Sequence, residues 1–323
     1  MNTVYIVGNG AIGRALAVSL ITAGRQVVML RGSRDDLPAR PETIRLETAE
    51  ETRLEATLPV TSLRAVGRLD GLIVIATKSY ANPTVALALN EKGNDSPIVI
   101  LQNGLGVERA FMEAHNADIY RCVLFATSQP VSDEQVRFRP VAASPIGLVQ
   151  GQAGGLHTVV EQLHTATFPF RAVADIQPVV WQKTIINSVF NSVCPLLETD
   201  NGVFHREERA LALATEIIDE CVAVAQASGI RLESRAVVDN LLQISRASDG
   251  QLISTLQDIR QGRKTEIDTF NQEIVRIARR LQPAYRVTRT QLLGELTELK
   301  SELSQKQYVM PPAGGMTISD HTP

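Results

Sequence analysis

The sequence predicts an α/β domain followed by an all-α domain, and three observations carry that reading. Short apolar, β-prone runs alternate with helix-length segments through the first half of the chain. A glycine-spaced turn, Gly8-Asn-Gly-Ala-Ile-Gly13, falls between the first such run and the first helix. Near residue 175 the strand runs stop and helical spacing takes over. The expected units are residues 1–175, residues 176–305, and a flexible tail over 306–323 that contains Pro311-Pro-Ala-Gly-Gly315.

The first run is Val4-Tyr-Ile-Val7. Behind the glycine turn, Arg14 to Ala23 has helical apolar positions and stops at Gly24, and Gln26-Val-Val-Met-Leu30 gives a second strand. Strand, glycine turn, helix and strand in that order form a dinucleotide fingerprint, so the first domain reads as Rossmann-type. Gly8 lets the chain turn sharply, Gly10 lets backbone N–H groups approach a pyrophosphate, and Gly13 lets the helix close on the sheet. Asn9, Ala11 and Ile12 complete the turn, and the helix start offers partial positive charge to phosphates. At the end of the second strand a carboxylate would select NAD. Here stand Arg31, Gly32, Ser33 and Arg34, whose guanidinium groups and hydroxyl suit a 2′-phosphate. NADP(H) is therefore the expected cofactor; Asp35 and Asp36 either weaken that site or are simply solvated.

Residues 40 to 66 alternate polar and apolar stretches and carry few functional clues. Gly71-Leu-Ile-Val-Ile-Ala76 reads as a buried strand ending at Thr77-Lys78, and Ile98-Val-Ile-Leu101 as another ending at Gln102-Asn103-Gly-Leu-Gly106. Ligands of open α/β sheets lie at the carboxyl ends of strands, which places Lys78 and Asn103 on the cofactor side. The plain alternative for each is a solvated strand cap. Tyr120 to Gln129 and Val141 to Val149 read as further strands, antiparallel to each other; Gly154 to Thr165 reads as a helix and Phe168 to Val173 as a last strand. His157 and His164 have no nearby carboxylate or thiolate in sequence and read as surface residues.

Pro178 can open a helix. In Trp181-Gln-Lys-Thr-Ile-Ile-Asn-Ser-Val-Phe-Asn191, Lys183, Asn187 and Asn191 recur every four residues, which puts an ammonium and two carboxamides in one row. The row is either a solvated stripe or a general acid flanked by substrate clamps. Arg206 to Gly229 and Glu233 to Ser245 read as further helices, and Leu252 to Leu281 as one long, broken helix.

The Gly8-x-Gly10-x-x-Gly13 unit, Lys78, Asn103-Gly-Leu-Gly106, Trp181-x-Lys183-x-x-x-Asn187-x-x-x-Asn191, Asn201-Gly202, Ser254-Thr-Leu-Gln-Asp-Ile-Arg260 and Thr265-Glu-Ile-Asp268 together resemble the ketopantoate reductase (2-dehydropantoate 2-reductase) family, from residue 1 to about 300. The resemblance implies NADPH-dependent reduction of a 2-oxo acid, ketopantoate to pantoate in pantothenate and coenzyme A biosynthesis. It makes Lys183 the proton donor and assigns Glu266 to placing the lysine, the substrate and the nicotinamide ribose. By the same resemblance Asn103 and Ser254 hold the substrate carboxylate, and Asn187, Asn191 and Asn201 contact its hydroxyl and carbonyl. The chain departs from the family pattern at Ser79-Tyr80-Ala81, at Ser192, between Gln282 and Thr288 and between Ala126 and Arg139. A paralogue reducing another 2-oxo acid or an imine, or a non-catalytic NADP-binding regulator, therefore stays open.

The bulk numbers narrow the partners. A net charge of −3 gives no electrostatic case for nucleic acid or an anionic membrane, and 44% hydrophobic with 21% charged residues describes an ordinary globular chain. No apolar run is long enough to cross a bilayer, and the amino terminus lacks signal-peptide features. Cys122, Cys194 and Cys221 are far apart, which suggests neither a disulfide framework nor a metal cluster and points to a reducing cytoplasm. A small-molecule substrate is the expected partner, with a homodimer possible through the helical half.

Overall fold

The computed structural model describes residues 3–32, 38–48, 53–92 and 95–309. The chain divides into two compact units, Met1–Lys183 and Thr184–Pro323. The division falls inside a helix, because the residue leading into that helix and Lys183 within it both meet the first unit. A Cβ at Gly147 would sit 2.7 Å from the Ile176 side chain, and Lys183 reaches the Leu124 backbone.

In the first unit the order is β1 (Thr3–Val7), α1 (Ala11–Thr22), β2 (Val27–Arg31), β3 (Arg40–Glu47), β4 (Arg53–Ser62), β5 (Gly71–Ile75), α2 (Asn82–Asn90), β6 (Ile98–Ile100) and α3 (Arg109–Ala114). Then follow β7 (Ile119–Cys122), β8 (Ala126–Pro130), β9 (Gln135–Pro140), β10 (Ser144–Gln150), α4 (Leu156–Leu163) and β11 (Phe170–Ala172). These strands form one sheet in the order β11-β10-β7-β6-β5-β1-β2-β4-β3-β9-β8. The run from β7 to β4 is parallel throughout. Adjacent residues of each inner strand feed opposite faces, as the two-residue period of a strand requires. Ile6 lies in one core cluster with Leu16, Leu20 and Leu163 of α1 and α4, whereas Val7 lies in another with Val85, Leu89 and Phe111 of α2 and α3. The sheet is thus doubly covered. The chain runs from β1 outward to β4, then returns to pair β5 on the other side of β1. That reversal places the switch point at the carboxyl ends of β1 and β5.

Residues 40 to 66, unreadable as function, contain the antiparallel hairpin β3–β4, whose alternating burial explains the mixed polarity of the sequence. The stretch Tyr120 to Gln129 is two strands, not one: β7 sits within the parallel run, and β8 pairs with β9 at the far end of the sheet. β10 pairs antiparallel to β7, as expected.

The second unit is helical. It takes up α5 (Gln177–Leu197) from Thr184 onward, then α6 (Val203–Arg206), α7 (Glu208–Ala227), α8 (Ser234–Ala247), α9 (Ser254–Arg260), α10 (Asn271–Arg280) and α11 (Thr288–Val309). Phe190 and Phe204 meet edge to face at 4.9 Å, joining α5 to α6. The Glu220 carboxylate of α7 accepts the N–H groups of Arg289 and Thr290 at 3.1 and 3.0 Å, capping the start of α11. The expected long helix over 252–281 is two helices, α9 and α10, separated by Gly262 in a positive-φ turn (+62°). α11 continues through Val309, so the first residues of the expected tail are helical; residues 310–323, including Pro311 to Gly315, lie outside the described residues.

One helix is unusual. The buried face of α11 carries Thr290, Gly294, Thr297 and Ser301, while Leu292, Leu296, Leu299 and Leu303 are exposed. Small residues suit the inner face because α10 comes close: a Cβ at Gly294 would lie 2.7 Å from the Asn271 Cβ.

Candidate active site

The parallel strands deliver their loops to one edge of the sheet. Gly8 follows β1 with φ +125°, and a Cβ there would lie 2.6 Å from the Ala76 carbonyl carbon at the end of β5. A Cβ on Gly13 would collide with the Gly8 carbonyl oxygen, so both glycines are demanded by packing alone. Gly10 differs: among the described residues, nothing beyond its chain neighbours lies within 4 Å of a Cβ placed there. Its neighbour α1 starts at Ala11 with no side-chain cap and no acidic residue in its first turn. Uncapped N–H groups beneath an unobstructed glycine are what a pyrophosphate needs, so the residues present fit a dinucleotide. Ala11 and Ile12 pack their side chains on the core. Asn9 is held from two sides, its carbonyl accepting from Arg14 Nε at 2.8 Å and its amide donating to Glu42 at 3.2 Å.

Arg31 ends β2 and is largely buried, with Nη2 donating to the Pro38 carbonyl at 3.3 Å. Ser33, Arg34, Asp35 and Asp36 lie outside the described residues. Lys78 is exposed past β5, and Asn103 is half-buried past β6.

Behind these loops lies a polar network that sequence reading missed. The Gln102 amide donates to Thr77 O at 2.8 Å and Asn82 Oδ1 at 2.7 Å, and Asn82 donates to Gln102 Oε1 at 2.8 Å and Val107 O at 2.7 Å. Two buried carboxamides thus tie the β5 loop to the β6 loop. The available signal was Asn82-Pro83 at a helix start, next to a glutamine at a strand end. Arg121, in the otherwise apolar β7, reads in the sequence only as part of a strand.

Lys183 is half-buried, and its ammonium donates to Leu124 O at 2.5 Å, just beyond β7. It therefore stands on the same sheet edge as the glycine turn, Lys78 and Asn103. Burial pushes its pKa down to about 8. A thiolate at Cys122 would act in the opposite sense, and the Arg121 guanidinium adds to the fall. Burial pushes Cys122 itself up to about 12, so the thiol is neutral where the lysine titrates. An ammonium near 8 can release a proton near neutral pH, which an ordinary lysine cannot readily do.

In the second unit the polar row continues along α5. Asn187 is half-buried. Asn191 is buried, its Oδ1 accepting from Thr255 Oγ1 at 2.7 Å and Ser254 Oγ at 3.4 Å, and its Nδ2 donating to the Asn187 carbonyl at 3.0 Å. The carboxamide of Asn191 thus fixes α9 on α5. Ser254 is exposed at the first turn of α9. Asn201 is buried, and its Oδ1 has no hydrogen-bond partner among the described residues. Such an atom is costly unless something completes it. Glu266 is half-buried, ahead of the turn Ile267–Thr269.

A 2-dehydropantoate 2-reductase of Pyrococcus horikoshii is 28% identical over 279 residues, covering 85% of this chain and 90% of the relative. A PanE/ApbA family ketopantoate reductase from Ralstonia eutropha JMP134 superposes with a TM-score of 0.82 at 23% identity, covering 94% of this chain and 99% of that one. D-mandelate dehydrogenase, solved with NADH and anilino(oxo)acetate, superposes at 0.80 with 20% identity and covers 94% of this chain and 99% of its own. At these identities the two structures show a shared fold. The ketopantoate reductase PanE/ApbA family model matches residues 4–149 and the family's C-terminal model matches residues 175–298, one on each side of the change from strands to helices. With both halves matched in order along one chain, the protein belongs to the ketopantoate reductase family.

Proposed function

We propose that this oxidoreductase uses NADPH to reduce a 2-oxo acid to a 2-hydroxy acid, with ketopantoate to pantoate, a step of pantothenate biosynthesis, as the specific reaction. The observation that carries the reading is the Lys183 ammonium, held by Leu124 O at the same sheet edge as the glycine turn. A bound nicotinamide supplies the hydride. Lys183 then has two tasks, stabilising negative charge as it develops on the carbonyl oxygen and donating the proton. The lowered pKa suits the second task, and the anchoring carbonyl fixes the direction of the N–H groups. Asn103 and Ser254 hold the substrate carboxylate, while Asn187 and Asn201 meet its hydroxyl and carbonyl. Asn191 belongs to this set chiefly through its grip on Ser254 and Thr255. Glu266 orients the lysine and the nicotinamide ribose, and Gly8, Asn9, Gly10, Ala11, Ile12, Gly13 and Lys78 serve the cofactor. Arg31 stands where a carboxylate would otherwise favour NAD, which supports NADPH. A reducing cytoplasm is the compartment that suits three buried free thiols.

A second copy is the partner assigned to α11. Leu292, Leu296, Leu299 and Leu303 recur at intervals of four, three and four, the spacing of a heptad seam that an identical stripe can match.

The test is NADPH oxidation over a panel of 2-oxo acids. Turnover of ketopantoate far above 2-oxoisovalerate supports the reading; a preference for another 2-oxo acid or an imine replaces the substrate. Cofactor binding without turnover on any member of the panel would replace the reductase with a regulator. Unchanged NADPH affinity in Arg31→Ala, with NADH still weak, would remove Arg31 from the cofactor choice.

A further inference from the structure

Arg121 is 2% exposed and heads the fully buried side chains by size, although it sits in a strand of the sheet. A guanidinium in that position is costly unless its N–H groups are taken up. Nη1 is paired with the Glu108 carboxylate, and Nη2 donates to Gln102 O at 3.2 Å and Gly104 O at 2.9 Å. Those two carbonyls belong to the residues on either side of Asn103. The loop they bracket turns through positive φ at Gly104 (+95°) and Gly106 (+69°), so its backbone has conformational freedom to lose. Three residues beyond Arg121 is Leu124, whose carbonyl receives the Lys183 ammonium. β7 and the residues just past its end therefore bear both the tie to the Asn103 loop and the tie to Lys183.

We propose that Arg121 is a positioning residue, which acts from β7 to hold Asn103 at a fixed distance from Lys183 so that the carboxylate and the ketone of one 2-oxo acid are engaged together. The proposal rests on the reductase reading. A 2-oxo acid carries its carboxylate on the carbon next to the ketone, so the two groups that receive it must keep one spacing. Apolar residues could fill the Arg121–Glu108 space with no loss of stability in general, but could not bridge two carbonyls of a loop. The Arg121 Nε is buried without a partner among the described residues. The three bonds that are made thus fix the side chain at the expense of the one that is not. The same buried positive charge works with burial to ease proton release from Lys183.

The experiment compares Arg121→Lys and the paired change Arg121→Met with Glu108→Gln, which leaves no half-buried carboxylate without its partner. Amide hydrogen exchange over residues 103–106 is measured with cofactor affinity, steady-state kinetics and the pH profile. Both variants are expected to lose protection across 103–106. Their kcat/KM for the 2-oxo acid should fall about ten- to a hundred-fold, mostly through KM, while NADPH affinity holds. The alkaline limb of the kcat profile should move upward in the Met/Gln variant and stay in place in Arg121→Lys, which keeps the charge but not the fork. Unchanged exchange at 103–106 in a folded variant overturns the proposal, and so does a loss of cofactor affinity equal to the loss in kcat/KM. If Met/Gln does not fold, Arg121→Lys alone decides through exchange and KM. Wild-type protein inactive on every 2-oxo acid would defeat the reductase reading, a result separate from the exchange data.

Discussion

The Lys183 ammonium is bonded at 2.5 Å to the backbone carbonyl of Leu124, a neutral acceptor, and among the described residues it pairs with no carboxylate. A half-buried cation with a neutral partner keeps much of its desolvation cost, which is why its pKa falls from 10.5 to about 8. Stability and chemistry then pull in opposite directions at one residue.

Lys183→Met is expected to stabilise the protein at pH 7 by roughly 1–3 kcal/mol while turnover falls about a hundred-fold or more and NADPH binding persists. Between about pH 8 and 10.5 the unfolded chain binds the proton that the folded lysine has lost, so wild-type stability rises with pH across that window. The advantage of the methionine variant should narrow over the same range. Chemical denaturation at pH 7 and pH 10 checks both signs; a less stable variant at pH 7 contradicts the account.

Turnover in the reductive direction should decline as pH rises through about 8, because the proton donor is then neutral. Oxidation of the 2-hydroxy acid should gain over the same interval. Matched initial rates in both directions across pH 6 to 10 give the comparison, and a flat reductive profile would exclude Lys183 as the acid.

The three glycines of the turn should separate by function. Gly13→Ala places a methyl against the Gly8 carbonyl and should cost roughly 1–3 kcal/mol of stability. Gly10→Ala meets nothing among the described residues beyond its chain neighbours and should melt like the wild type, yet bind NADPH about ten-fold or more weaker. Thermal melts and cofactor titrations distinguish the two roles; equal behaviour of the pair would refute the distinction.

Asn191→Ala removes the acceptor of Thr255 and Ser254, and should destabilise the helical unit by roughly 1–3 kcal/mol. Asn191→Asp keeps that acceptor but loses the donor to the Asn187 carbonyl and buries a charge, so it should lose stability as well. Chemical denaturation of both variants is the check; wild-type stability in either contradicts the structural tie.

Replacing Leu296 and Leu299 by lysine should leave the fold intact, since both side chains are already exposed. Sedimentation velocity should show wild-type protein as a dimer and the double variant as a monomer. A monomeric wild type removes the self-association reading.

The sequence by itself determined the local features. The glycine turn, the strand-end positions of Lys78 and Asn103, the Lys183 row and the change to helices near residue 175 are all set by short-range sterics and by the periods of strand and helix. These patterns depend on neighbours in the chain, so they survive in one dimension. Only the tertiary structure decided that Arg121 brackets Asn103, that Gln102 and Asn82 join two loops, and that Asn191 is spent on α9. It also decided that α11 turns Thr290 and Thr297 inward and Leu292, Leu296, Leu299 and Leu303 out, against what hydrophobicity alone suggests. Each of these is a pairing between segments distant along the chain, where the same residue type reads equally well as solvated or buried. Its meaning is fixed only when the fold supplies the partner and removes the water.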